Sequence, residues 1–462
     1  VVKKGFIFAA LPGQNVHGIN FAQAAIEAGA LFVLTDIEGA AEFAGPCLVT
    51  KNPRRDMGLI ARAIYGNTQS RLLSVGVTGT NGKTTTSTMI TAMLHELHRK
   101  PVLIGTIGIK FADKLLPAKR TTPESTELHQ TLREAETAGC DSLVMEVSSH
   151  ALELDRVVGM NYDVAIFTGL TQDHLDFHGT MDAYFSAKAK LFTAEFAKFA
   201  VINVDDSWGQ KLASIVDIPS VTYGLSQTAD WYAKDVSIAQ NGKTTFTAVG
   251  PDSSHPIELS MPGSFNIANA LAAIAAINAL TLDIESSLPA LSKVQVAGRV
   301  ERVEQGQPFV VLVDYAHTPD AVERALAVAR TCASGKVIAV LGCGGDRDAS
   351  KRPLMGIAAA ANSDIFVITD DNPRSEEPAA IRAAIRAGVE SSTFAAKVKV
   401  SEIGDRSAAI TSAIALAGSG DCVIIMGKGH ETGQEISGVV YPFSDVEVAR
   451  TALAESGWSQ NG

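Results

Sequence analysis

Short apolar, β-branched runs recur along this chain with helix-patterned stretches between them, and that alternation restricts the fold more than any other feature. Strand-like runs lie at Leu73–Val77, Leu143–Val147, Val164–Thr168, Ala200–Asn203, Phe309–Val313, Val337–Leu341, Ile365–Thr369 and Cys422–Met426. Apolar residues at helical spacing predict helices over Thr84–His98, Ser125–Ala138, Asp182–Lys198, Asn266–Leu280, Pro319–Ala333, Glu377–Val389 and Arg406–Ala417. Strands that alternate with such helices make βαβ units. Their crossovers are right-handed and bury a mostly parallel sheet on both faces. An α/β fold is expected, in three domains: a small N-terminal α/β domain over 1–70, a central mostly parallel sheet domain over 71–297, and a Rossmann-like α/β domain over 298–462. The opening VVKKGFIFAALPG reads as the middle of a sheet domain, so residues ahead of Val1 are expected.

The run VGVTGTNGKTTT, residues 75–86, follows a strand-like stretch and leads into a helix. In a phosphate-binding loop of pattern G-x-x-x-x-G-K-[ST], the first glycine would fall at 77, where Val77 stands. The context still suits a phosphate: backbone N–H groups and a helix N-terminus converge where Gly79, Thr80, Asn81, Gly82, Lys83, Thr84 and Thr85 lie. Lys83 is placed to reach the terminal phosphates of ATP, and the Thr84 hydroxyl to hold Mg²⁺. A glycine-rich turn that only caps a helix is the plainer alternative. The central domain is therefore expected to be a P-loop-type ATPase domain.

The net charge of −11 argues against a general nucleic-acid binder, so cations serving an anionic ligand must be concentrated locally. The five cysteines form no C-x-x-C pair, which disfavours a zinc site or a disulfide framework and fits a reducing cytoplasm. No apolar run approaches the ~20 residues needed to span a membrane. No signal peptide is recognised, and a cytoplasmic location is expected.

Further polar groups cluster at the ends of strand-like runs. Glu146, in LVMEVSSHAL, ends a strand where ligands of open α/β sheets gather, and its carboxylate suits Mg²⁺. A surface glutamate is the alternative. FTGLTQDHLDFHG brings Asp173, His174, Asp176 and His178 together, but without thiolates or good zinc spacing, and a hydrogen-bonded loop explains them equally. Lys188, in AYFSAKAKLF, reads from composition as a solvated lysine. Asn266 and Asn269 could read an adenine edge or cap a helix. Arg347, in GCGGDRDASKRP, and Arg374, in TDDNPRSEEP, both follow strong strand runs. Paired guanidiniums suit a ligand with two carboxylates. Surface pairing with Asp348, Glu376 and Glu377 is the alternative. MGKGHET places Glu431 at another strand end, where it could hold an ammonium group.

TGTNGKTT, EVSSH, DHLDFH, VDYAHTPD, GCGGDRD, DNPR and GKGHE occur in this order through the second and third domains, and LPGQNVHG lies in the first. Together they resemble the Mur ligases of the Mur ligase and folylpolyglutamate synthase superfamily. The resemblance implies ATP-dependent amide ligation through an acyl phosphate. It implies that Lys188 is carbamylated and joins Thr84, Glu146 and His174 around magnesium, with Lys83, Lys188, His174 and Glu146 as the catalytic set. Asn269, Arg299 and Asp314 would complete the ATP site. DNPR in this family accompanies meso-diaminopimelate as the amino acid added to UDP-N-acetylmuramoyl-L-alanyl-D-glutamate. Its site would be Arg347, Asp371, Asn372, Pro373, Arg374, Gly427 and Glu431. The UDP-sugar site would be Gln14, Asn15, Val16, Thr121, Thr122, Ser148 and Arg156. Here the chain departs from some relatives, with His17 where Asp is common, Arg120 for Asn and Leu154 for Gln. A monomer is expected, with no nucleic-acid or membrane partner. The competing readings are a ligase of the same superfamily with another amino acid, and a P-loop NTPase switch that hydrolyses nucleotide alone.

Overall fold

The computed structural model describes residues 2–13, 16–112, 114–239 and 243–458. Three parallel strands, Ile7–Ala9, Phe32–Thr35 and Cys47–Val49, form a small first sheet. The helix Pro53–Ile64 then leads into a sheet of eleven strands. Its middle runs Ser220–Gly224, Ala200–Asn203, Val164–Phe167, Leu73–Thr78, Ser142–Glu146, Pro101–Gly105, all parallel. Ser142–Glu146 is buried at every position, which is why its middle, Leu143–Met145, is apolar without alternation.

Beyond Ser220–Gly224, the strands Trp231–Ile238, Thr244–Val249 and Ser254–Leu259 extend this sheet. The last two pairings are antiparallel. These strands were not anticipated. Their burial alternates, as in Ser254–Leu259, so each shows only a weak period-two signal. The helix Ser264–Ala279 is apolar on nearly all sides because it lies among the sheet and the helix Lys83–Glu96. The helix expected over Asp182–Lys198 instead ends early, as Met181–Ala189 followed by a 3₁₀ turn, Lys190–Phe192. Thr193 then adopts an extended conformation, and the turn drives Leu191 and Phe192 into the core.

The third sheet has six strands in the order Glu301–Arg302, Val310–Asp314, Cys422–Met426, Val337–Leu341, Ile365–Ile368, Lys399–Glu402. All but the first pairing are parallel. A separate hairpin, Gly433–Ile436 with Val439–Pro442, was also unforeseen. The parallel strands of the second and third sheets end at a common cleft, and the loops leaving them line it. No helix among the described residues is long and apolar enough to cross a membrane.

Candidate functional site

The glycine loop is short because the strand before it is long. Val77 is a fully buried residue within Leu73–Thr78, paired on one side with Glu146 and on the other with Ile166. The first loop glycine therefore falls at Gly79. A Cβ there would lie 1.9 Å from Thr168 Oγ1. Gly82, at φ 86°, turns the chain into the helix Lys83–Glu96, and a Cβ on it would meet Asn269 Oδ1 at 2.5 Å. Both positions demand glycine for close backbone approach. Lys83 Nζ folds back onto the carbonyls of Gly79 and Thr80, each at 2.9 Å. Burial, aided by Arg299, lowers its pKa from the ordinary lysine value. An anionic phosphate would reverse that penalty.

Glu146 is 1% exposed. Its carboxylate accepts from the Thr84 hydroxyl at 3.1 Å, the Thr106 amide at 2.9 Å and the Thr106 hydroxyl at 3.0 Å. Among the described residues no lysine or arginine bonds to it. A buried carboxylate held by neutral donors beside a phosphate loop fits a hard divalent cation. His174 lines the same cleft, and its surroundings lower its pKa against the pull of the adjacent Asp173, which favours a neutral imidazole. The described residues include no group of three or more His, Cys, Asp or Glu side chains able to hold a metal unaided.

Lys188 is not a solvated lysine. It is 1% exposed behind the loop, donates to Gly79 O at 2.8 Å and lies 4.7 Å from the Tyr184 ring centre. Burial, with the nearby Lys83 charge, puts its pKa well below the ordinary value.

A cleft of about 300 Å³ joins Thr80–Thr84, Glu146 and His174 to Arg347, Asp371, Asn372, Arg374, Gly427 and Glu431. Thr121 and Ser148 also line it. Arg347 is exposed there, whereas Glu376, offered as its surface partner, pairs instead with Arg352 at 2.8 Å. Glu431 Oε2 accepts from Lys428 Nζ at 2.9 Å and Asn372 Nδ2 at 2.8 Å. Pro373 turns the loop without lining the cleft. A second cleft of about 660 Å³ borders the glycine loop on its other side, lined by Thr85, Asn269, Arg299 and Asp314 together with Phe265 and Leu225. Its mixed apolar and polar lining suits a nucleoside. Burial pushes Asp314 up to about 6 against the pull of Arg299, while its Oδ2 accepts from Val300 N at 2.7 Å. Asn266 lies outside both clefts, its amide donating to Pro262 O at 2.8 Å.

The expected UDP-sugar residues are more scattered. Gln14 and Asn15 lie outside the described residues. Val16 is exposed and lines neither cleft. His17 accepts from Ile19 N at 3.0 Å and approaches Asp36 at 3.3 Å, so it caps a turn. Thr122 is buried, its hydroxyl donating to Glu146 O at 2.9 Å and accepting from Ser148 N at 3.0 Å. Arg156 pairs with Glu124 at 2.9 Å, outside the cleft lining.

Some contacts had no counterpart in the sequence reading. Asn81 Nδ2 donates to Asp320 Oδ2 at 3.0 Å, and Lys351 approaches Asp173 at 3.8 Å. Both link the second-sheet side of the cleft to the third-sheet side. Nothing local marks such pairs, because their members are far apart in the chain.

A phosphate-type loop on one sheet, facing a Rossmann-like sheet with paired arginines, defines a class of nucleotide-dependent enzymes. The profile of the Mur ligase middle domain matches residues 77–277, and that of the Mur ligase glutamate ligase domain matches 298–429. The chain belongs to the Mur ligase family. A UDP-N-acetylmuramoyl-L-alanyl-D-glutamate–2,6-diaminopimelate ligase from Streptomyces coelicolor is 44% identical over 98% of this chain and 91% of its own length. One of the same name from Geobacillus kaustophilus is 43% identical over 99% and 94%. A solved structure of an enzyme so named has a TM-score of 0.70 at 34% identity, covering 99% of this chain and 94% of that one. Mycobacterium tuberculosis folylpolyglutamate synthase, solved with ADP, shares the fold at TM-score 0.67 and 20% identity, over 81% of this chain and 92% of its own.

Proposed function

We propose that this enzyme uses ATP to join 2,6-diaminopimelate, as the meso isomer, to UDP-N-acetylmuramoyl-L-alanyl-D-glutamate, a step of peptidoglycan precursor synthesis. The observation that carries the reading is that one cleft holds both the Lys83 loop and the Arg347, Arg374 and Glu431 group. A phosphorylated carboxyl formed at the loop is thereby within reach of an amine held by the second group. Residues 1–70, 71–297 and 298–462 act as UDP-sugar, ATP and amino-acid domains. Thr121, Thr122, Ser148 and Arg156 serve the UDP-sugar side, and the enzyme works in the cytoplasm as a monomer.

ATP lies across both clefts, its adenosine beside Asn269 and Asp314 and its phosphates on residues Gly79–Thr85. Lys83 leaves its carbonyl partners to meet the transferring phosphoryl group. Catalysis of such a transfer is mostly positioning and charge stabilisation. Thr84, Glu146, His174 and a carbamylated Lys188 would hold Mg²⁺, which supplies charge neutralisation at the phosphates. The depressed pKa of Lys188 favours carbamylation, because the neutral amine is the form that adds to CO₂. The γ-carboxylate of the glutamyl residue takes the phosphoryl group. The amine of diaminopimelate then attacks the acyl carbon, expelling phosphate and losing a proton. Arg347 and Arg374 grip carboxylates, Glu431 an ammonium, so that one amine faces the carbonyl. Closure around the clefts keeps water from the acyl phosphate.

The test is ADP release measured with each substrate omitted in turn. Strict dependence on both the UDP-sugar dipeptide and diaminopimelate is expected. ADP release without either would favour a simple NTPase, and equal use of lysine would remove the assigned amino acid.

A further inference from the structure

The hairpin strand Gly433–Ile436 is wired to the loop Asp371–Arg374. Gln434 Nε2 donates to Asp371 O at 2.6 Å, and Glu435 N to Asn372 Oδ1 at 2.9 Å. Arg374 N donates to Glu435 O at 3.0 Å, and Ser437 N to Arg374 O at 2.7 Å. These bonds hold Arg374 at φ 52°, a left-handed conformation that a non-glycine residue keeps only when its surroundings impose it. The guanidinium is anchored by Nη1 donating to Gly345 O at 2.6 Å. Its Nε lies 3.3 Å from Glu435 Oε2. Of the neighbouring acids, Glu376 pairs with Arg352, and Asp346 accepts from the Ser375 hydroxyl while also feeling the Arg374 charge.

We propose that Glu435 is a specificity-determining residue, an internal carboxylate that occupies Arg374 until the distal carboxylate of the diamino acid displaces it. The proposal rests on the reading that Arg374 grips that carboxylate. The backbone of Glu435 is pinned, so only its side chain swings. That side chain is 39% exposed and has a path to water. Two carboxylates on one guanidinium repel each other, so diaminopimelate binding expels Glu435. Lysine, which lacks the distal acid, leaves Glu435 in place and spares a part-buried guanidinium from being unpaired. Glu435 thus weakens diaminopimelate binding, leaves lysine binding unchanged and narrows the discrimination between them.

The experiment is Glu435→Gln in the full chain, with KM and kcat for diaminopimelate, lysine and ATP read by ADP release. The substitution is close in shape and lies at a solvent-accessible side chain. The KM for diaminopimelate should fall by about two- to five-fold, the range of an exposed ion pair. Neither kcat/KM for lysine nor the KM for ATP should move, because the pair is the same before and after either binds. In an Arg374→Ala background, the Glu435→Gln effect should vanish. An unchanged preference ratio, a raised KM for diaminopimelate or the same shift without Arg374 would overturn the proposal. Wild-type ADP release that ignores diaminopimelate would instead overturn the functional reading beneath it.

Discussion

Arg406 and Asp445 form a two-pronged ion pair with neither side chain exposed, Nε to Oδ1 at 2.7 Å and Nη2 to Oδ2 at 2.8 Å. Arg406 also donates to Asp370 O at 3.3 Å and Met426 O at 3.0 Å. The pair thus ties the starts of the helices Arg406–Ala415 and Asp445–Glu455 to the chain just before the Asp371–Arg374 and Gly427–Glu431 loops. Asp445→Ala would strand a buried guanidinium and should cost about 3–5 kcal/mol in urea unfolding. Replacing both partners with apolar residues of similar volume should cost less. A loss below about 1 kcal/mol for Asp445→Ala would mean that water or another group replaces the partner.

Lys83→Ala should abolish ADP formation while leaving the fold intact. The side chain bonds only to loop carbonyls here, so its removal frees acceptors that water can reach through the cleft. Normal turnover in this variant would end the assignment of the loop to ATP.

Lys188→Ala should be inactive, and short carboxylates such as acetate should restore part of the rate. The carboxylate would stand in for the carbamate oxygens in the space the side chain vacates. Absence of rescue in a variant that remains folded by circular dichroism would leave the carbamate without support.

Arg374→Ala should raise the KM for diaminopimelate by about one to two orders of magnitude, corresponding to about 1.4–2.8 kcal/mol, near the low end of what a lost desolvated charge partner costs. ATP binding, measured by titration calorimetry, should be unchanged. Equal weakening of both ligands would contradict an amino-acid role.

His129 is 1% exposed, and its Nε2 has no hydrogen-bond partner. Burial pushes its pKa down to about 4, against a backbone hydrogen bond at Val158 and with help from Arg62. Between about pH 6.5 and 4 the unfolded chain binds a proton there that the folded chain does not, so folding stability falls as pH falls through that window. Below the folded pKa the penalty stops growing. His129→Gln should flatten the stability profile in that window by up to about 3 kcal/mol while changing it little in slope above pH 7. An unaltered slope between pH 6.5 and 4 would mean that the ring is protonated in the folded protein.

The parallel strands, the glycine loop and its helix, Glu146 at a strand end and the arginines after strong strand runs were all legible in the linear order of residues. Burial on both faces makes the middle of a central strand, such as Leu143–Met145 of Ser142–Glu146, apolar without alternation. A glycine that must approach another backbone or side chain closely announces itself by type and position. The antiparallel strands at the sheet edge were missed because one exposed face dilutes their pattern. Lys188 was misjudged from composition alone, since helical spacing does not say that the sheet and loop cover it. Arg406 with Asp445, Asn81 with Asp320 and Glu435 with Arg374 had no trace in the local pattern. Repeat spacing and residue type follow from backbone geometry over a few neighbours, and so they are written along the chain. Which loop faces which, and which charge meets which partner, follows from how the strand ends of whole sheets come to face one another. That arrangement brings together residues whose separation along the backbone is arbitrary, and it exists only once the chain has folded.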